Sequence, residues 1–161
     1  MSRISKENYY LNIAQTVSGR GTCLRRKFGA IIVKNDEIVS TGYAGAPRGR
    51  VNCCDRKICL RNELNIPRGE RYELCRSVHA EANAIISASR DQMLGADLYL
   101  VCTDPETGEA IGNTTCCQMC KRLVINAGIK RVFVRETAED YSVYNVEDWI
   151  TDDDSLGKIG Y

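Results

Sequence analysis

The stretch His79-Ala80-Glu81-Ala82-Asn83-Ala84-Ile85 contains the only histidine of the chain, and Cys117-Gln118-Met119-Cys120 follows further along. One imidazole, two thiols and a carboxylate not needed as a ligand are the components of a catalytic zinc site. Three protein ligands leave the fourth position open to water. Glu81 does not easily share an ion with His79, because side chains two residues apart on a helix diverge by about 200°. Its carboxylate stays free to carry a proton.

The fold follows from the segments around these residues. Ser77 is placed to cap a helix running from Val78 to about Arg90, and Gly128 ends a second helix over 117–127. Between and after them, Ala96 to Cys102 and Arg131 to Arg135 read as strands. Two strands joined by a helix predict a parallel pair with a right-handed crossover. Upstream, the β-branched runs Phe28 to Lys34 and Glu37 to Tyr43 flank Asn35-Asp36, a two-residue hairpin turn. Ser5 caps a first helix whose Tyr9, Ile13 and Val17 share a face, and Gly19 and Gly21 end it. Val146 to Ile150 adds a short last helix. This order predicts an α/β fold, a mixed sheet with helices on both faces. We read residues 1–161 as one domain with a solvated acidic tail from about 151 to 161. The 44–76 segment, with two prolines and four cysteines, is long for a loop in a compact domain, so it should be functional or cross-linked.

Bulk properties exclude several classes. A net charge of +1 and a pI near 7.5 give no global field for gripping a nucleic-acid polymer, and 7% aromatic content offers few stacking platforms. No apolar run approaches the ~20 residues that span a bilayer, and the N-terminal residues lack a signal-peptide core. A cytoplasmic protein without membrane partners is expected. In a reducing compartment, nine cysteines in short-spaced groups read as metal ligands rather than disulfides. Their split around His79 suggests two sites. Cys23, one of Cys53 or Cys54, Cys59 and Cys75 can form a closed structural zinc site that pins the 44–76 loop to the first strand; the plain alternative is free thiols. Cys102, within a strand, reads as a small buried hydrophobe.

Taken alone, an H-x-E is commonplace, and a C-x-x-C can be a redox pair or half of a zinc knuckle. Together, on successive helices, they match the H-x-E and C-x-x-C signature general to zinc-dependent deaminases. Zinc bound by His79, Cys117 and Cys120 would lower the pKa of its water to about 7. Glu81 would shuttle the proton to a ring nitrogen and then to the departing ammonia.

The resemblance extends well beyond these motifs. HAEANAI, CQMC, GTCLRRKFGAIIV, STGYAGAPRG, VNCCD, IPRGE, CRSVHAE and VINAGIKRVFV, within about 4–135, resemble the deoxycytidylate (dCMP) deaminase family. The resemblance implies a three-layer αβα cytidine-deaminase-like fold with about five strands and conversion of dCMP to dUMP. It also implies a homo-oligomer (dimer or hexamer) and dCTP and dTTP as effectors. It assigns His79, Cys117 and Cys120 to the catalytic zinc, Glu81 to proton transfer, and Cys23, Cys53 and Cys75 to the region where some members hold a second zinc. Arg90 matches an arginine used near the active site and subunit contacts.

Three departures bear on substrate. Ala44 replaces an asparagine expected to bond the sugar, and Cys116 replaces the proline before the first zinc cysteine, placing a thiol at the pocket wall. The 103–115 segment, with Asp104, Glu106 and Glu109, is longer than usual and is expected over the active-site mouth. Arg26 and Lys27 are candidates for a 5′-phosphate, and Arg25, Arg48 and Arg50 lie nearby in sequence. With Ala44, Ala80 and Arg90, Arg26 and Lys27 complete the candidate substrate contacts. Competing readings are a deaminase of another small amino-heterocycle, a non-enzymatic zinc module, and a thiol redox protein using Cys117 and Cys120.

Overall fold

The structure, a computed structural model, describes residues 2–155. The chain runs α1 (Lys6–Ser18), β1 (Lys27–Lys34), β2 (Glu37–Tyr43), α2 (Cys53–Arg56), α3 (Leu60–Glu63), α4 (Ala80–Ile86), α5 (Arg90–Met93), β3 (Asp97–Thr103), α6 (Gln118–Ala127), β4 (Arg131–Arg135), β5 (Tyr141–Asn145) and α7 (Val146–Thr151). The five strands form one sheet in the order β2-β1-β3-β4-β5. Only β3 and β4 pair in parallel, as a strand-helix-strand unit requires. Asn35 and Asp36 both take positive φ, 52° and 63°, the geometry of a tight hairpin turn between β1 and β2.

Helices cover both faces. On one, α1 packs Tyr10, Leu11 and Ala14 against Ile31, Val33, Tyr99, Val101 and Phe133. The other face carries α4, α6 and α7, sealed by Ile32, Leu98, Leu100, Val124, Val132 and Val134. Each fully buried aliphatic side chain contributes roughly 1.5–3 kcal/mol. Both cores therefore hold the sheet rigid beneath the site.

Several expectations change. The buried stripe of α1 is Tyr10, Leu11, Ala14 and Ser18, while Tyr9 is exposed and Ile13 and Val17 only flank the core. The helix is turned so that the Tyr10 hydroxyl reaches Asp36 at 2.5 Å and the backbone at Ala14 and Ser18 lies on Gly29. The single helix expected over 78–90 is two. His79, not Ser77, stands at the N-cap of α4, and Ser89 starts α5 by accepting a hydrogen bond from the Gln92 amide. Four strands are legible in the segments; the fifth, β5, pairs antiparallel with β4 and completes the about five strands that the resemblance implies. The 44–76 loop holds α2, α3 and a 3-10 turn (Tyr72–Leu74), cross-linked by Arg61, whose Nη2 donates to the carbonyls of Pro67 and Glu70. The acidic tail is anchored in part, because Asp154 pairs with Lys121 at 3.0 Å. Residues 156–161 of the expected tail lie outside the described ones.

Candidate active site

Each ligand is set by a helix start. His79 follows a short antiparallel bridge in which Val78 and Gly45 exchange backbone hydrogen bonds at 2.7 and 3.2 Å. Asn83, one turn on, donates to the Tyr43 carbonyl at 2.8 Å and ties α4 to the end of β2. Cys117 caps α6, and its sulfur accepts from the Cys120 amide at 3.4 Å. A thiol at an N-cap faces the amide-rich end of its helix, which favours the thiolate. The C-x-x-C spacing then places the second sulfur at the third residue of the same turn.

The three side chains converge. His79 Nδ1 lies 3.5 Å from Cys117 Sγ and 3.3 Å from Cys120 Sγ, and all three donor atoms fall within 4.8 Å of one another. One nitrogen and two sulfurs at this spacing fit a zinc ion. Hydrogen bonding from the Cys120 thiol, opposed by burial and aided by His79, holds Cys117 well below the usual thiol range. The same bond and then burial push Cys120 up. Burial disfavours a charged His79 ring, yet hydrogen bonds to Cys117 and Cys75 and the charge of Glu81 outweigh it and raise the ring to about 10. Glu81 is 4% exposed, and that burial pushes its carboxyl up, partly opposed by the charge on His79. A buried carboxyl whose pKa is pushed up is suited to exchanging protons.

These groups face a cavity of about 170 Å³ lined by Cys23, Arg25, Arg26, Phe28, Ala44, Cys59, Arg61, Arg68, Tyr72, Cys75, Ser77, His79, Ala80, Glu81, Thr115 and Cys117. Of the candidate substrate contacts, Arg26, Ala44 and Ala80 line it. Lys27, Arg48 and Arg50 do not line it, and Arg90 turns away, its Nε donating to the Asn126 carbonyl at 3.4 Å. Cys116 is 2% exposed and absent from the cavity wall; its thiol packs behind and hydrogen-bonds Glu81. The 103–115 segment does not cover the mouth. Asp104 Oδ1 accepts from the amides of Glu106 and Thr107, Gln15 reaches the Gly108 carbonyl, and the Asn113 amide donates to Glu136. The segment folds towards α1 and the end of β4, and only Thr115 reaches the cavity.

The second cysteine group is less gathered. Cys23, Cys59 and Cys75 line the same cavity, and burial, then the charges of Cys23, Cys75 and Cys59, raise Cys53. Among the described residues these sulfurs form no cluster at ligand spacing. Sequence reasoning missed Arg61, Arg68, Tyr72 and Ser77 as cavity residues. The length of the 44–76 loop was the available signal.

A mixed five-stranded sheet covered on both faces, with an imidazole and two thiols joined at helix starts beside a buried glutamate, defines a zinc-deaminase-type domain. The chain belongs to the family described as the cytidine and deoxycytidylate deaminase zinc-binding region, matched over residues 4–136. It is 36% identical over 138 residues to deoxycytidylate deaminase of Mycobacterium phage D29, covering 82% of this chain and 95% of that one. It is 30% identical over 137 residues to deoxycytidylate deaminase of Schizosaccharomyces pombe, covering 81% of this chain but 37% of the yeast protein. The crystal structure of dCMP deaminase from the cyanophage S-TIM5 in complex with dCMP and dUMP superposes with a TM-score of 0.55 at 25% identity, over 83% of this chain and 85% of that one.

Proposed function

We propose that this chain is a hydrolytic deaminase that converts dCMP to dUMP and ammonia in pyrimidine deoxynucleotide metabolism. The observation that carries this reading is the convergence of His79, Cys117 and Cys120 beside a buried Glu81 at a cavity that is also lined by arginines. Relatives named for dCMP deamination and a neighbour solved with dCMP and dUMP support the same substrate. Zinc, when bound, supplies a Lewis acid that activates water at neutral pH. Glu81 would take one proton from the attacking water and pass it to the ring nitrogen, then take the proton of the new carbon-bound hydroxyl and pass it to the amine, which leaves as ammonia while the carbonyl forms. Arg26, joined by Arg25 and Arg68, gives the cavity the cations that a 5′-phosphate requires. A non-enzymatic zinc module has no use for the buried Glu81.

A second reading, deamination of another small amino-heterocycle, is favoured by Ala44, which lines the cavity without a polar side chain. We also propose a structural zinc held by Cys23, Cys53, Cys59 and Cys75. Its support is the common neighbourhood of these thiols, and loading requires their side chains to draw closer. No helix among the described residues is long and apolar enough to cross a membrane, and all nine cysteines are free thiols. These features support a cytoplasmic, reducing location. A homo-oligomer and regulation by dCTP and dTTP rest on the family resemblance.

The test is ammonia release from dCMP, CMP, deoxycytidine, cytosine and other aminated heterocycles, beside Glu81→Gln, with a metal count. We expect turnover with dCMP foremost, its loss in Glu81→Gln, and two zinc ions per chain. No ammonia from any substrate returns the chain to a metal-binding module, and a count near one removes the structural ion.

A further inference from the structure

We propose that Arg61 and Tyr72 are positioning residues for His79, a two-part strut through which the long 44–76 loop fixes the orientation of the metal-binding imidazole. This rests on the zinc-site reading above. The Tyr72 ring meets the His79 ring edge-on, with an interplanar angle of 80° and centroids 5.0 Å apart. The Arg61 guanidinium lies against the Tyr72 ring, 4.6 Å from its centroid. Arg61 is itself 6% exposed, and its Nη2 donates to the carbonyls of Pro67 and Glu70 at 2.7 and 2.8 Å. Its Nε finds no acceptor among the described residues.

A guanidinium buried this deeply with two neutral carbonyls as hydrogen-bond acceptors is an expensive way to fill space. An apolar side chain would fill it at lower cost but would lose the fork that grips two carbonyls while its flat face meets an aromatic ring. That geometry is what Tyr72 needs. Tyr72 begins the 3-10 turn that leads to Cys75, outside the five strands of the sheet. The imidazole needs the contact as well. His79 stands at the N-cap of α4 without a side-chain capping bond, and its Nδ1 faces the two sulfurs. The terminal torsion of histidine is broad, so hydrogen bonds to Cys117 and Cys75 still leave a range of swing that the Tyr72 ring narrows. Outer contacts that orient a metal-ligating histidine typically govern metal affinity or activity by about 10–100-fold.

Zinc release from the holoenzyme into excess chelator tests this, with thermal unfolding followed in parallel. His79→Ala identifies the release phase that belongs to this site. We expect Tyr72→Leu to speed that phase by about 10–100-fold and to lower kcat more than it changes KM, while the protein remains folded. Tyr72→Phe, which keeps the ring, should restore both. Arg61→Met should act in the same direction, and because it also frees two carbonyls, the Tyr72 pair of variants decides. Folded Tyr72→Leu releasing zinc at the wild-type rate overturns the inference, as does a Phe variant no better than Leu. A wild type with no His79-dependent phase removes the zinc site itself, and the strut with it.

Discussion

Gly42→Ala tests whether the sheet sets the geometry of the chemistry. A methyl group at Gly42 would lie 2.3 Å from the Ala80 carbonyl oxygen, 2.4 Å from the Ala84 amide nitrogen and 3.0 Å from the Asn83 carbonyl carbon. All three are backbone atoms of α4, so no rotamer change relieves the clash. Ordinary contact begins at 3.4 Å, so α4 must move off β2 by about 1 Å. That helix carries Glu81 and begins at His79. Displacement on this scale costs about 10²-fold in rate when the moved group acts on the reacting atoms. Overpacking also destabilises by roughly 1–3 kcal/mol, and each kcal/mol lowers Tm by about 2–4 °C in a chain of this size. Gly29→Ala is the control, because its methyl group would meet the Ala14 carbonyl oxygen at 2.2 Å and the Ser18 amide nitrogen at 2.4 Å on the opposite face. No residue of α1 lines the cavity. Ammonia release from dCMP, at a temperature where both variants are folded, should show the large loss in Gly42→Ala and a few-fold loss in Gly29→Ala, with similar drops in Tm. Equal losses of activity, or a folded Gly42→Ala within twofold of wild type, would refute the argument.

Arg26→Ala should raise KM for dCMP by at least about tenfold, the lower end for a lost charge-assisted hydrogen bond, and leave deoxycytidine kinetics unchanged; Lys27→Ala, outside the cavity, should change neither. An equal effect on nucleotide and nucleoside would remove Arg26 as a phosphate contact. Burial, then the hydrogen bond and charge at Asp36, push the Tyr10 phenol up from 10.0 to about 12. A raised folded-state pKa stabilises the fold below the ordinary value and loses that stabilisation as pH rises through the folded one. Urea midpoints should therefore fall between pH 10 and 12, and Tyr10→Phe should flatten that fall, leaving the part due to Tyr99, which burial also raises. A variant curve as steep as wild type removes the assignment.

Local signals predicted what local chemistry controls. Asn35-Asp36 marked the hairpin, Gly128 closed α6 in a left-handed conformation, and the H-x-E and C-x-x-C spacings named the converging residues. Errors arose where tertiary contact overrides pattern. Tyr9, Ile13 and Val17 make as good a stripe as Tyr10, Leu11 and Ala14, and the close approach at Gly29 selects the second. The apolar run after His79 continues past Ile86, but Ser89 competes as a cap and restarts the helix at Arg90. In β5, Tyr141, Val143 and Tyr144 alternate only weakly with polar neighbours, because an edge strand buries little. Arg61 was illegible in kind: nothing in a sequence distinguishes a surface arginine from one whose guanidinium is enclosed by its own loop.

Substrate choice narrows accordingly. Of the three departures from the family pattern, Cys116 sits behind Glu81, and the 103–115 segment is pinned away from the mouth by its own turn at Asp104 and by Gln15 and Glu136. Ala44 lines the cavity, and of the 103–115 segment only its end, Thr115, does so. It sits between Tyr43, whose carbonyl accepts from Asn83, and Gly45, which pairs with Val78, so its backbone is fixed from both sides. A fixed backbone with a methyl in place of an amide cannot swing another polar group into the sugar's reach. On the proposed reading, discrimination between deoxynucleotide and other substrates comes from Arg25, Arg26 and Arg68, which line the cavity, because the reacting end is common to every amino-pyrimidine.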